Sequence, residues 1–238
     1  MNAGVALITG ASSGIGEAVS RHLVRDGWRV GLVARRPDLL NSLVEELGHD
    51  KAFPVVADVT RADQVAEAVN SVAGHWGRLD LVIVNAGLLE VGRIEETRLE
   101  QWAQVLATNL DGAFFTIRSA LPLIKESAGR FVLVSSVAAS KGMPGLGAYS
   151  ASKAGLRGLS ESLAAENERN GVRVNLVTLG PTDTAMLERP GASEFKLRPT
   201  EVADIILWLT KLPRHVVIRE IPLRASVRPK RDTAVSSD

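Results

Sequence analysis

Short, almost unbroken apolar runs alternate along this chain with longer stretches in which apolar residues recur every three or four positions. The runs are Val5–Thr9, Arg29–Ala34, Ala52–Ala57, Leu79–Val84, Arg130–Ser135, Val172–Thr178 and, more weakly, His215–Leu223. Runs of this length without polar alternation fit strands covered on both faces, as a parallel sheet requires. The stretches Ile15–Asp26, Leu39–Leu47, Ala62–Trp76, Leu99–Glu126, Tyr149–Asn170 and Thr200–Leu212 predict helices. Gly27, Gly48, Gly129 and Gly171 stand where those helices would stop. Regular strand–helix alternation predicts an α/β, Rossmann-like, doubly wound parallel sheet of about seven strands with helices on both faces. No linker, repeat or shift of composition divides the 238 residues, so one domain spanning 1–238 is expected, with a polar tail over 228–238 that frays.

Composition narrows the function classes. Apolar residues make up 45% and charged residues 23%, an ordinary globular balance. A net charge of +1 gives no electrostatic footprint for nucleic acid or an anionic membrane surface. The absence of cysteine excludes disulfides, thiolate catalysis and cysteine metal sites. His22, His49, His75 and His215 are scattered, so no metal site is expected. The segment Met1–Ile8 has no basic region and no cleavage site of a signal peptide, and no apolar run approaches the roughly 18 residues of a membrane span. A cytoplasmic protein is the expectation.

Two places carry chemistry. The first apolar run leads into Thr9-Gly10-Ala11-Ser12-Ser13-Gly14-Ile15-Gly16, and a helix follows. Glycines there permit a tight turn and close backbone approach, and a helix N-terminus offers free N–H donors to a pyrophosphate. The second run ends in Val33-Ala34-Arg35-Arg36, where an NAD site usually carries an acid for the ribose 2′-hydroxyl. A guanidinium instead suits a 2′-phosphate, so NADP(H) is the expected cofactor, with Arg35 the principal contact and Arg36 or Ser12 assisting. The second place is Tyr149-Ser150-Ala151-Ser152-Lys153, which contains the chain's one tyrosine. Residues four apart share a helix face, so the phenol and the ammonium point into the same space. A nearby cation lowers a tyrosine pKa from about 10, and reaching 7 takes roughly 4 kcal/mol of differential stabilisation. The product would be a proton donor and acceptor suited to neutral pH.

With these motifs, the chain resembles the short-chain dehydrogenase/reductase family from residue 5 to about 223. The matching elements, in order, are Thr9-x-x-x-Gly-x-Gly, Asp58-Val59, Asn85-Ala86-Gly87, Asn109, Ser136, Tyr149-x-x-x-Lys153 and Gly180-Pro181-Thr182-Asp183-Thr184. The resemblance implies a catalytic tetrad of Asn109, Ser136, Tyr149 and Lys153. Tyr149 would protonate a carbonyl oxygen as hydride arrives, or deprotonate the alcohol in reverse. Lys153 would lower its pKa and bind the nicotinamide ribose. Ser136 would polarise the carbonyl, with the adjacent Ser135 as the alternative, and Asn109 would hold a water of a proton relay. The resemblance further implies cofactor contacts from Gly10, Ser12, Ser13, Gly14, Ile15 and Gly16 at the pyrophosphate, and from Asp58 and Val59 at the adenine. Asn85, Ala86 and Gly87 would lie near the adenine ribose, and Pro181, Thr182 and Thr184 near the carboxamide and phosphates. The chain departs from the family in having Leu179-Gly180 where Pro-Gly is common and in lacking an Asp-Gly-Gly ending. Its own ending, Val216–Arg224, looks like that of NADP-dependent reductases acting on small hydroxy acids and related carbonyls.

The segments Leu88–Ile94, Val137–Gly147 and Ala185–Arg198 should enclose the substrate. Leu88, Leu89, Val137, Met143, Leu146, Met186, Leu187 and Phe195 give apolar walls, and Arg93, Arg189 or Arg198 could bind a carboxylate if the substrate is an acid. Apolar residues on more than one face of the helices at 99–126 and 149–170, among them Phe114, Phe115 and Leu159, suit subunit contacts; the resemblance implies a homodimer or homotetramer. The leading expectation is an NADP(H)-dependent oxidoreductase interconverting a carbonyl and an alcohol. The alternatives are a non-catalytic NADP(H) sensor, for which both Tyr149 and Lys153 would be superfluous, and an epimerase or dehydratase. Relatives of that last kind carry a larger C-terminal region than this chain has.

Overall fold

The structure, a computed structural model, describes residues 4–187 and 196–226. Seven strands form one sheet in the order β3-β2-β1-β4-β5-β6-β7. They are β1 (Val5–Thr9), β2 (Arg29–Ala34), β3 (Ala52–Val56), β4 (Leu81–Val84), β5 (Arg130–Ser136), β6 (Arg173–Leu179) and β7 (Glu220–Leu223). Every neighbouring pair is parallel. The helices are α1 (Gly14–Arg25), α2 (Pro37–Leu47), α3 (Ala62–Trp76), α4 (Leu99–Leu106), α5 (Gly112–Glu126), α6 (Gly147–Asn167) and α7 (Pro199–Lys211).

The apolar runs are continuous because both faces of the sheet are covered. One core joins the sheet to α1, α2 and α7 through residues such as Leu23, Leu40 and Ile206. The other joins it to α3, α5 and α6 through Val72, Ile117 and Leu156. Leu7, Ile8, Leu81, Ile83, Phe131 and Leu133 are almost fully buried, and each such side chain contributes about 1.5–3 kcal/mol. Pro54 is tolerated because β3 is an edge strand.

Two expected elements differ. The weak run His215–Leu223 pairs with β6 only from Glu220 onward, since register begins at Leu176↔Glu220 and Val217 is exposed. The stretch Leu99–Glu126 is not one α-helix. Residues Ala107–Asp111 form a π-helical turn between α4 and α5, where the Gly112 amide reaches back five residues to the Ala107 carbonyl. The extra residue in that turn accompanies an inward-facing Asn109, which is buried.

Strand order reverses between β1 and β4, and their carboxyl ends diverge into a crevice, the usual ligand position in a doubly wound sheet. Thr9 and Asn85 clip the crevice together. The Thr9 hydroxyl donates to the Ile83 carbonyl and accepts from the Asn85 and Ala86 amides at 3.0 and 3.2 Å. The Asn85 amide group donates to the carbonyls of Thr9 and Gly10 at 3.0 and 3.2 Å.

Candidate active site

A cleft of about 710 Å³ opens at this crevice. It is lined by all the expected contacts from Gly10 to Ile15, by Arg35, Arg36, Asp58, Val59, Asn85, Ala86 and Gly87, and by Ser136, Tyr149, Lys153, Pro181, Thr182 and Thr184. Gly16 and Asn109 support it from behind.

The glycine-rich turn is shaped as a phosphate cradle. Gly10 has φ +66°, and a Cβ there would lie 2.9 Å from the Ala86 Cα. A Cβ at Gly16 would run into the Gly10 carbonyl. The turn therefore tolerates neither side chain, and its backbone stays open to the cleft. Ser13 caps the twelve-residue α1 without a side-chain hydrogen bond to the helix. That leaves the first amides and the positive end of the helix dipole for an anion. The residues present thus fit a dinucleotide pyrophosphate.

At the cleft rim the two arginines divide differently from expectation. Arg36 Nη2 donates to the hydroxyls of Ser12 and Ser13 at 2.9 and 2.8 Å. Arg35, the expected principal contact, turns toward Asp58, with Nη1 4.0 Å from Oδ2. Both follow the end of β2, Arg35 in a bend and Arg36 at the cap of α2, and of the two Arg36 makes the hydrogen bonds to the glycine-rich turn. Asp58 also shapes its own loop, accepting from the Thr60 amide and hydroxyl at 3.0 and 2.9 Å.

The first turns of α6 bring Tyr149 and Lys153 to the cleft beside the carboxyl end of β5. Ser136 accepts a hydrogen bond from the Ala138 amide at 3.2 Å, which leaves its own O–H free to donate. Its hydroxyl also interacts with that of Tyr149. The Ser135 hydroxyl is buried and has no partner among the described residues. Lys153 is 5% exposed, and its Nζ donates to the Val134 carbonyl at 3.0 Å. Burial pushes the Lys153 pKa down to about 8.

The expected lowering of the Tyr149 pKa by Lys153 is corrected here. Burial dominates and pushes the phenol above its ordinary value, while hydrogen bonding with Ser136 pulls the other way. The ammonium lies 5.7 Å from the tyrosine ring centroid and is directed to the Val134 carbonyl rather than to the phenol oxygen.

Asn109 lies buried on the π-helical turn. Its Nδ2 donates to the Leu88 carbonyl and the Ser152 hydroxyl at 2.9 and 3.0 Å, and its Oδ1 accepts from the Leu88 amide at 2.7 Å. Ser152 in turn donates to the Tyr149 carbonyl at 2.7 Å. The Asn109 side chain therefore couples the π-helical turn, the loop after β4 and the first turn of α6. Sequence reasoning missed the structural parts of Thr9 and Ser152. Ser152 stands three residues after Tyr149, on the same helix face, and that spacing was the available signal.

The expected substrate walls are present in Leu89, Val137, Met143, Leu146 and Met186. The Leu187 side chain lies outside the described residues, and Leu88 does not line the cleft. Neither do Arg93 and Arg198: Arg93 lies near Glu95, and Arg198 pairs with Glu201 at the start of α7. Arg189 and Phe195 lie outside the described residues. Among the described residues no group of acids and histidines could hold a metal ion, and no helix is long and apolar enough to cross a membrane.

The profile of a short chain dehydrogenase family matches residues 4–194. A Staphylococcus aureus protein named as an uncharacterized oxidoreductase is 31% identical over 222 residues, covering 92% of this chain and 96% of that one. An alcohol dehydrogenase from the archaeon Thermococcus sibiricus, solved with 5-hydroxy-NADP, superposes with a TM-score of 0.88 at 34% identity over 95% of this chain and 98% of that one. A variant of actinorhodin polyketide ketoreductase with NADPH superposes at 0.86 with 29% identity, over 94% and 96% of the two chains. A 3-ketoacyl-(acyl-carrier-protein) reductase from Brucella melitensis, solved with NADH, also superposes at 0.86, with 25% identity over 93% and 97%.

Proposed function

The chain belongs to the short-chain dehydrogenase/reductase family, and we propose that it is an NADP(H)-dependent enzyme that reduces an uncharged, largely apolar ketone or aldehyde to the alcohol. The observation that carries this reading is the convergence of Tyr149, Ser136 and Lys153 in one cleft whose far rim holds Arg36 against Ser12 and Ser13. Solved relatives containing NADP-type ligands support it, although another contains NADH. The rim arginines favour the phosphorylated cofactor, because a guanidinium flanked by two hydroxyls can bind a 2′-phosphate and no acid stands at the end of β2.

Gly10, Ser12, Ser13, Gly14 and Ile15 would hold the pyrophosphate, with Gly16 keeping the turn tight, and Arg36 with help from Arg35 would hold the 2′-phosphate. Asp58 and Val59 would border the adenine, Asn85, Ala86 and Gly87 its ribose, and Pro181, Thr182 and Thr184 the carboxamide end. Bound there, the nicotinamide supplies hydride to the substrate carbonyl carbon or takes it back.

Tyr149 donates its phenolic proton to the carbonyl oxygen. Its burial keeps the phenol protonated at neutral pH, so the proton is there to give. Ser136, whose hydroxyl lies beside that of Tyr149, turns its O–H to the same oxygen and stabilises the charge that develops there. Lys153, close beside the phenol, stabilises the phenolate left after transfer. Asn109 acts as a positioning residue through Leu88 and Ser152, fixing the first turn of α6. With Arg93 and Arg198 outside the cleft, the described walls offer a substrate carboxylate no arginine from the surrounding loops, which disfavours a keto acid. A sensor would have no use for this constellation.

The test is NADPH consumption against apolar ketones, aldehydes, quinones and keto acids. Apolar ketones or aldehydes should be the best substrates. Tyr149→Phe should lower turnover by on the order of a hundredfold or more with little change in KM. Near-native turnover in that variant would overturn the mechanism.

We further infer a homodimer or homotetramer assembled through α4 and α5. Leu99, Trp102 and Phe114 there are 81%, 42% and 46% exposed, a large apolar content for a free helix surface. Light scattering at micromolar concentration should give at least twice the 25.4 kDa chain mass. A monomer mass would refute the assembly.

A further inference from the structure

At the opposite end of the sheet, where β5 and β6 begin, a second cavity of about 260 Å³ lies between the strand starts and the end of α7. Its walls include Arg78, Arg130, Arg173 and Arg214, with Asp80 as the sole carboxylate among its lining residues. Four arginines facing one aspartate leave an excess of three positive charges.

That aspartate is already committed. Arg78 grips Asp80 with two hydrogen bonds, Nε to Oδ2 at 2.8 Å and Nη2 to Oδ1 at 2.6 Å, and the Val5 amide donates to Oδ2 at 2.8 Å. Arg130 is 2% exposed. Its Nη1 donates to Asn175 Oδ1 at 2.6 Å, but its buried Nη2 has no partner among the described residues. Arg173 donates from Nη2 to the Ala128 carbonyl at 3.1 Å, and its buried Nε is likewise without a partner. The nearby hydroxyls of Ser127 and Thr210 are turned to backbone carbonyls.

Burial, and then the charge of Arg173, push the Arg130 pKa down to about 10. Burial and Arg214 lower that of Arg173. A pKa near 10 still leaves Arg130 charged at neutral pH. A buried guanidinium with an unmet N–H is costly, and the cost falls only when an acceptor, preferably an anion, meets it. Guanidinium forks match the oxygens of phosphate and carboxylate. An excess of three charges with donors on separate arginines suits a doubly charged tetrahedral ion better than a carboxylate.

We propose that this cavity binds a small phosphate-class oxyanion, free or as a monoester, between Arg130 and Arg173. The site is separate from the cofactor cleft, which lies at the other end of the same strands.

The test is thermal unfolding at pH 7.5 and constant ionic strength, with sodium chloride replaced stepwise by inorganic phosphate or by glycerol phosphate. Three variants run in parallel: Arg130→Met, Arg173→Gln and, as a control for phosphate entering the cofactor cleft, Arg36→Ala. The wild-type Tm should rise by on the order of 5 °C at a hundredfold excess over Kd. The rise should persist in Arg36→Ala and vanish in Arg130→Met and Arg173→Gln. If Arg130→Met does not fold, Arg173→Gln decides, since that side chain is only partly buried. A rise with inorganic phosphate alone assigns the free ion, and a rise with glycerol phosphate as well assigns the monoester. No rise in the wild type beyond the chloride control, or a rise lost in Arg36→Ala and kept in the far-end variants, would overturn the proposal.

Discussion

The two ends of the β5–β6 strand pair each bury a cation, and they treat it differently. At the carboxyl end, Lys153 is buried with its ammonium donating to the Val134 carbonyl, and its pKa falls to about 8. At the amino end, Arg130 is buried with one N–H unmet, and its pKa falls only to about 10. The cause is the same at both ends, since burial penalises the charged form. The consequences diverge because lysine can shed its proton near neutral pH and arginine cannot. A lysine in the cleft can therefore tune its charge to the chemistry beside it. An arginine at the far end keeps its charge and needs a counter-ion.

The largest expected effect that separates the two is in stability against pH. For Lys153 the folded pKa of about 8 lies below its ordinary 10.5. Between those values the unfolded chain binds more protons than the folded one, so stability rises with pH through that window. A gap of about 2.5 units corresponds to roughly 3 kcal/mol, absent below pH 8 and mostly recovered by pH 10. Denaturant unfolding of wild type and Lys153→Met at pH 7, 8.5 and 9.5 should show the wild type gaining about 2 kcal/mol relative to the variant across the series. The same series with Arg130→Met should show an almost flat difference, because Arg130 stays mostly charged until about pH 10. Tyr149 belongs to both comparisons and, with its pKa raised, would lower stability only above pH 10, outside the series. A flat Lys153 difference would mean that its ammonium is better solvated than its burial implies, and the contrast between the two ends would fail.

This contrast also marks the border of what the sequence could tell. The sheet was legible because apolar runs buried on both faces need no partner information: Val5–Thr9 and Arg29–Ala34 match β1 and β2 residue for residue. The cleft was legible because its motifs are local, a glycine turn before a helix and a Tyr–Lys pair on one face. Less could be read wherever a side chain's role depends on a distant group. Arg130 reads as an ordinary strand start, and its isolation appears only when Arg173, Arg214 and an already committed Asp80 gather around it. Asn109 reads as a relay residue, and the tie its amide makes between Leu88 and Ser152, 43 positions away, appears only in the fold. Lys153 reads as a partner that acidifies Tyr149, but Val134 on β5 draws the ammonium. The split between Arg35 and Arg36 turned on the bend between β2 and α2, which two consecutive identical residues cannot reveal.

That split adds a third cation to the comparison. Arg36 is exposed, unlike Lys153 and Arg130, and its partners are two hydroxyls rather than a carbonyl or an amide. Water screens such a charge and little stability should depend on it. Its contribution should come on binding, when a doubly charged 2′-phosphate replaces water between the guanidinium and the two serines. A charge-assisted hydrogen bond of this kind is worth about 1.5–3 kcal/mol, or roughly ten- to a hundredfold in affinity. Arg36→Ala should therefore weaken NADPH binding by at least about tenfold and leave NADH binding nearly unchanged. Arg35→Ala should have the lesser effect on that ratio, since its guanidinium lies toward Asp58. Dissociation constants from nicotinamide fluorescence for both cofactors decide between them. If Arg35→Ala instead produced the larger loss, the side chain would have to leave Asp58 when the cofactor binds, and the cleft rim would be a mobile cation site rather than a preset one.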